Sequence, residues 1–183
     1  MNREADWTDL IPALNRILNE RDDQIRVRVV YDWAFYDNLE TEFKEFEKFS
    51  PYDKYIETLR SADIALLPLK PTRFNNCKSD LKYIECAAQG VAVLASPTVY
   101  GQTLRDGETG LLFNKPEEFA EKLNQLLDDA NLRRKLVENA YNYVAENRML
   151  AQHFRERHEW YKQLRDNLPE LNRQVKERVP EMR

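Results

Sequence analysis

The sequence predicts an α/β domain with three layers and a mainly parallel sheet, followed by a helical tail. Three observations predict it. DIALLPL (63–69) and VAVLAS (91–96) are wholly apolar runs bounded by turn signals, the pattern of strands buried on both faces. Segments with helical periodicity follow them, and strands alternating with helices build a layered sheet. At 183 residues, 42% of them apolar, the chain is long enough for one such domain plus an extra helix or two.

Each element can be justified in order. In NREADWTDLIPALNRILNE, apolar Trp7, Leu10, Ile11, Leu14, Ile17 and Leu18 recur at helical spacing and predict an opening helix. A doubly wound domain ordinarily places a strand and a Gly-rich turn ahead of that helix. Neither occurs here, so the sequence reads as a segment of something longer. IRVRVVYD (25–32) is the first strand. The aromatic stretch Trp33 to Lys44 has no clear period, and FEKFS after it is a short strand candidate. PYDKYIETLRSA is a short helix with Tyr52, Tyr55, Ile56 and Leu59 as its stripe.

The strand 63–69 leads into a loop, KPTRFNNCK (70–78). Ser79 then suits the N-cap of a helix reaching Gln89, with Gly90 at the left-handed position beyond its end. After the strand 91–96, PTVYGQTLRDGETG forms a loop with a turn of helix, and LLF (111–113) a last strand. Pro116 opens the helix EEFAEKLNQLLDD. A further helix covers Asn131 to Asn147, and a charged helical tail runs from Leu150 to Pro180 with a break near Pro169. Repeats and low-complexity stretches are absent. The order is that of a Rossmann-like fold.

Charge and cysteine usage exclude several classes. The net charge is −4 with acids and bases interspersed, whereas phosphate neutralisation along a nucleic acid needs a basic face. No apolar run reaches membrane-spanning length. MNREADWTDLIPALN carries acids where a secretory signal needs a basic end and an apolar stretch, so the reading is cytoplasmic. Cys77 and Cys86 form no CxxC, and His153 and His158 lie far away on a charged helix, so no metal site is expected. A disulfide would join the start of one helix to its middle, which Cα spacing forbids. Free thiols follow.

In such sheets ligands bind beyond the carboxyl ends of the strands, which here means loops 70–79 and 96–102. On the helix from 79 to 89, Leu81, Ile84 and Ala88 form the expected stripe. Glu85 falls about 40° from Leu81, at its edge, and Lys78, Lys82 and Gln89 lie on the adjoining flank. A carboxylate there needs hydrogen-bond donors. Two ribose hydroxyls would supply them, and so would an ion pair with Lys82 or a backbone amide. The helix start, with Lys78 beside Ser79, suits an anion such as a diphosphate, although a lysine pointing to water beside an ordinary cap has the same sequence. In SPTVYG, the amides of Tyr100 to Gln102 around Gly101 form a candidate phosphate cradle. No GxGxxG or Walker pattern accompanies it.

SADIALLPLKPTRFNNCKSDLKYIECAAQGVAVLASPTVYGQTLRDGETGLLF (61–113) resembles the C-terminal domain of family 4 (group 1) retaining glycosyltransferases of the GT-B fold. The matching pieces come in order: the ADIALLPL strand, the KSDLK helix start, the helix glutamate with its Ala-rich turn and Gly-Val-x-Val, and the DGETGLLF hairpin. NREADW resembles the opening helix of a subgroup, and similarity covers roughly residues 55 to 145. The resemblance implies a donor-binding Rossmann-like domain over 1–148 that lacks its first strand, and a charged helical extension over 149–183. Donor-binding residues by this resemblance are Lys78, Ser79, Lys82, Glu85, Tyr100 and Gly101. Glu85 matches the second glutamate of the family's E-x7-E motif, which holds the donor ribose. The first glutamate falls at Cys77, a departure from the common pattern at the donor sugar. Lys78 and Ser79 beside it would take contacts to the diphosphate, Lys78 stabilising the leaving group.

The implied reaction is retaining transfer of a hexose from a UDP- or GDP-sugar to a glycan or lipid-linked acceptor, in polysaccharide biosynthesis, without cofactor or metal. An N-terminal acceptor-binding domain is implied outside this sequence, so the chain alone should be inactive. Peripheral membrane association of the whole enzyme is the remaining implied partner. The alternative from another class is a non-catalytic, flavodoxin-like interaction or regulatory module. A receiver domain lacks its acid cluster after the first strand, and an epimerase of related architecture would need catalytic acids and a histidine that find no place here.

Overall fold

The computed structural model describes residues 4–181, so Asn2 and Arg3 of the expected opening helix lie outside the described residues. The chain divides into two compact units, Met1–Val144 and Ala145–Arg183.

The first unit opens with α1 (Glu4–Trp7) and α2 (Ile11–Arg21), joined by a 3-10 turn, Thr8–Leu10. Pro12 in the first turn of α2 clashes with any continuous helix entering from the amino side, which is why one expected helix becomes two. Then follow β1 (Val27–Val30), α3 (Trp33–Asp37), β2 (Lys44–Glu47), α4 (Tyr52–Arg60), β3 (Ile64–Leu67) and α5 (Leu81–Ala88). The unit continues through β4 (Ala92–Ala95), β5 (Leu111–Leu112), α6 (Pro116–Asp128) and most of α7 (Ala130–Asn147). Helix α3 falls in the stretch that has no period. Its signal is Asp32, whose side chain accepts from the Phe35 amide at 3.1 Å as an N-cap. Strand β2 starts at Lys44, two residues before the expected FEKFS.

All strand pairings are parallel. β1 pairs with β2, and β3-β4-β5 form a separate three-stranded sheet. The expected pairing of the two apolar strands is found, with Ile64 opposite Ala92 and Leu67 opposite Ala95. Strand β4 is buried throughout. Its alternate side chains enter two cores, Ala92 and Leu94 with α2 and α6 on one face, Val93 and Ala95 with α4 and α5 on the other. Strand β3 corrects the expectation of equal burial. Its four residues are half-buried, and among the described residues it has a neighbour on one side only.

Both helix-end signals hold. Gly90 follows α5 with φ +77°, and Pro116 is the first residue of α6. Ser79 is not the cap, because α5 starts at Leu81 and Asp80 takes the cap position. The second unit carries α8 (Leu150–Asp166) and α9 (Leu168–Arg178), with the break at Asn167 and Pro169 inside the first turn of α9. Neither helix buries a side chain, and ion pairs such as Arg173 with Glu170 and Glu177 lace the surface. Among the described residues no helix is long and apolar enough to cross a membrane.

Candidate functional site

The loops leaving β3 and β4 are tied together at the carboxyl end of the sheet. Ser96 Oγ accepts from the Leu69 amide and donates to the Leu69 carbonyl, both at 2.8 Å. The β3 loop is also anchored on α1. Asp6 Oδ1 accepts from the Lys70 amide at 2.9 Å and from Nδ2 of buried Asn75 at 2.7 Å. Thr72 Oγ1 holds the Asn75 amide at 3.1 Å. These bonds fix the residues that lead to Lys78.

Lys78 is half-buried with extended backbone, and its ammonium sits 5.2 Å from the centre of the Phe74 ring. That contact holds the charge beside the start of α5 at modest strength. The Asp80 side chain makes no cap bond to the first turn of α5, where the positive end of the helix dipole lies. Ser79 is exposed, and so is Lys82 on the first turn.

The buried face of α5 corrects the expected stripe. Tyr83, Cys86 and Ala87 are buried, while Leu81 is 55% exposed. The cause is a partner distant in sequence: the Tyr83 hydroxyl donates to the Thr109 carbonyl at 3.3 Å, which lets the whole ring enter the core. Ile84 and Ala88 pack only partly against it. Glu85 stands half-buried at the rim, and its Oε2 accepts from the Tyr55 hydroxyl at 3.1 Å. A tyrosine of α4 therefore supplies a donor that the local sequence of α5 does not contain. Burial and the negative charge of Glu85 together push the Tyr55 hydroxyl well above the usual phenol range. The same two causes raise Tyr52, whose ring lies 6.2 Å from that of Tyr55.

The β4 loop differs from the expected cradle. The Tyr100 amide donates to the Thr98 carbonyl at 2.8 Å and the Gly101 amide to the Pro97 carbonyl at 2.8 Å. The Tyr100 and Gly101 amides of the expected cradle are thus engaged inside the loop, and the Tyr100 side chain is buried in the core. The reason is a tight γ-turn centred on Val99, with φ 57° and ψ −33°. A β-branched residue at positive φ is a strained position held by its surroundings. The Val99 amide, at the centre of the turn, is not among the amides bonded inside the loop.

Several features near the strand ends escaped sequence reasoning. Tyr31, at φ 58° beyond β1, meets Phe49 beyond β2 edge-on at 5.8 Å, and both rings are largely exposed. The aromatic density of YDW and FSPY was the available signal. Cys77, at the motif's first position, is an exposed free thiol that donates to the Arg73 carbonyl at 3.3 Å. A broad open hollow of about 620 Å³ lies elsewhere, along α2 beside Asn15, Arg16 and Glu40, and shares no residue with the groups above.

A family model described as glycosyl transferase-like matches residues 9–165. No curated protein matches the chain. Among solved structures, the C-terminal domain of LpcC, a glycosyl transferase group 1 family protein from Francisella tularensis, is 23% identical. It has a TM-score of 0.65, over 80% of this chain and 81% of that one. HepE from Anabaena, solved in complex with UDP-glucose, is 15% identical with a TM-score of 0.70, over 89% of this chain and 46% of that one. A glycosyltransferase from Rickettsia africae is 20% identical with a TM-score of 0.70, over 91% and 46%. The chain thus spans about half the length of the Anabaena and Rickettsia proteins. At these identities the likeness is one of fold.

Proposed function

Because the chain belongs to the glycosyl transferase-like family and has the Rossmann-like fold of a GT-B C-terminal domain, we propose that it is the donor-binding part of a retaining glycosyltransferase. Its donor is a UDP- or GDP-sugar carrying a hexose, and its acceptor a glycan or a lipid-linked sugar. UDP-glucose in the Anabaena protein supports a nucleotide sugar of this class.

One observation carries the reading: Glu85, braced by Tyr55, stands little more than one turn from the start of the same helix, with Lys78 just ahead of it. A nucleoside diphosphate has that polarity, with ribose hydroxyls to donate to a carboxylate and phosphates to accept from amides and an ammonium. As the bond to the diphosphate breaks, negative charge grows on the leaving group. The α5 amides, the Val99 amide and Lys78 are the groups that would stabilise it. Ser79 and Lys82 border this path from the exposed side of α5. Tyr100 and Gly101 serve by shaping the Val99 turn rather than through their own amides. Cys77 leaves the donor sugar without the carboxylate found in the common motif, so sugar contacts come from elsewhere.

Acceptor-positioning groups belong to an N-terminal domain outside this sequence, and the chain alone binds donor weakly and transfers nothing. The whole enzyme works on the cytoplasmic side, with peripheral contact to the membrane that holds a lipid-linked acceptor, in polysaccharide biosynthesis. The test is titration of UDP and GDP by ligand-observed NMR, with this chain and with the longer protein that contains it. Saturable binding of one nucleotide, lost in Glu85→Ala, is the expected result. A longer protein that binds neither nucleotide at millimolar concentration would return the chain to the non-catalytic, flavodoxin-like class.

A further inference from the structure

Two tyrosines meet Glu85, and they stand in different surroundings. Tyr52 and Tyr55 lie three residues apart on α4, so they share one face of the helix, with ring centres 6.2 Å apart. The Tyr55 ring packs against the core under α4 and α5, and its hydroxyl reaches Glu85 Oε2 from that side at 3.1 Å. The Tyr52 hydroxyl faces Glu85 as a second donor. Tyr52 is 62% exposed, so it covers the carboxylate from the solvent side.

The two side chains also differ in freedom. Tyr55 has a turn of α4 ahead of it, which closes one of its three χ1 wells, and its ring would have to leave the core to move. Tyr52 is the first residue of α4, directly after Pro51 at the cap position. No helical turn precedes it, so its three wells all stay open. Rotation about its Cα–Cβ bond carries the hydroxyl off Glu85 at little cost, because water replaces the bond of an exposed phenol. A ribose brings two hydroxyls to the carboxylate from that same open side. Its ring and the phenol ring of Tyr52 cannot both occupy it.

We infer that Tyr52 is a gate on Glu85: its hydroxyl holds the solvent side of the carboxylate in competition with ribose hydroxyls, and it swings aside as a nucleoside enters. Tyr55 stays in place as the fixed brace. The closed gate lowers apparent affinity by the fraction of molecules in which Tyr52 stands on Glu85, so its removal tightens binding. The inference rests on the reading of Glu85 as the ribose acceptor. It assigns opposite signs to two tyrosines that touch the same carboxylate.

Calorimetric titration of UDP and GDP against the longer protein that contains this chain tests it, with wild type, Tyr52→Phe and Tyr55→Phe. Tyr52→Phe should bind the preferred nucleotide at least about threefold more tightly, because the gate has lost its hold. Tyr55→Phe should bind it at least about threefold more weakly, because the carboxylate has lost its brace. The same titrations with the 2′,3′-dideoxy form of that nucleotide should show no gain in Tyr52→Phe, since this ligand brings nothing to Glu85. Unchanged or weaker nucleotide binding by Tyr52→Phe, with wild-type binding intact, would overturn the gate and leave the donor reading standing. An equal gain with the dideoxy ligand would overturn it as well, because the effect would then lie away from the ribose. A wild-type protein that binds neither nucleotide would remove the donor reading and the gate together.

Discussion

The Tyr55 hydroxyl donates to Glu85 Oε2 at 3.1 Å, so a residue of α4 prepares a carboxylate on α5. One acceptor oxygen is braced by the protein while the carboxylate stays at the rim of the domain. A ribose that donates to it would add bonds to a charged acceptor, each contributing about 1.5–3 kcal/mol. Glu85→Ala should therefore weaken UDP or GDP binding at least about tenfold in the longer protein, with the fold intact because alanine favours helix. Glu85→Gln should fall between. Unchanged affinity by calorimetry would make the Tyr55–Glu85 pair a structural one.

Lys78 should act on the phosphates rather than on the nucleoside. Lys78→Ala is expected to lower UDP affinity several-fold and leave uridine binding unaltered, because the ammonium interacts with charge that uridine lacks. Lys78→Arg should recover part of the loss. The effect should shrink at high salt, since the side chain is only half-buried. Titrations of UDP and uridine at two ionic strengths measure all of this. Equal losses for both ligands would place Lys78 at the base or ribose instead.

Much of the fold was legible because it is written locally. Continuous apolar runs gave β3 and β4, and Gly90 and Pro116 marked helix ends that the structure keeps. The miss on α5 comes from a partner far away in sequence. Tyr83 enters the core because Thr109 accepts its proton, and this turns α5 so that Leu81 faces out. The loop after β4 was legible as a loop, but its amide directions were not. They depend on the positive φ of Val99, which no sequence rule assigns to a β-branched residue. Glu85 stood out from the helical period alone, whereas its brace, Tyr55, lies thirty residues upstream.

The DGETG turn should tolerate little at its last residue. A Cβ on Gly110 would stand 2.8 Å from Leu104 Cδ1 and 3.1 Å from the Val93 carbonyl oxygen. Leu104 is buried and Val93 belongs to the central strand, so neither can yield freely. Gly110→Ala should cost about 1–3 kcal/mol, as overpacking does. Gly107→Ala nearby meets no atom but keeps φ +75°, so its smaller penalty would be purely one of backbone strain. Thermal unfolding of both variants separates the two effects, and a Gly110→Ala protein as stable as the parent would contradict the packing argument.

The two cysteines should behave oppositely, and one of them gives the fold a pH signature. Cys77 is exposed, while Cys86 is buried in the core of α5, where burial pushes its thiol from an ordinary 9.0 up to about 12. At pH 8 an aromatic disulfide reagent should label one thiol in the native chain, Cys77, and the second only after unfolding. The raised value also links stability to pH. Below the ordinary value the thiol is protonated in both states, and the contribution of its burial is fully present. Between 9.0 and about 12 the unfolded chain ionises at this position and the folded chain does not, so stability is lost across that window. The loss should be roughly 1.4 kcal/mol for each pH unit above the unfolded value. Tyrosines and lysines titrate in the same range, so the measurement is a difference: denaturant unfolding of wild type and Cys86→Ala at pH 8 and pH 10. The variant should lose less stability than wild type between those pH values, because it has no thiol to ionise when unfolded. Parallel losses would show that Cys86 ionises as easily folded as unfolded, and that its burial is not maintained at alkaline pH.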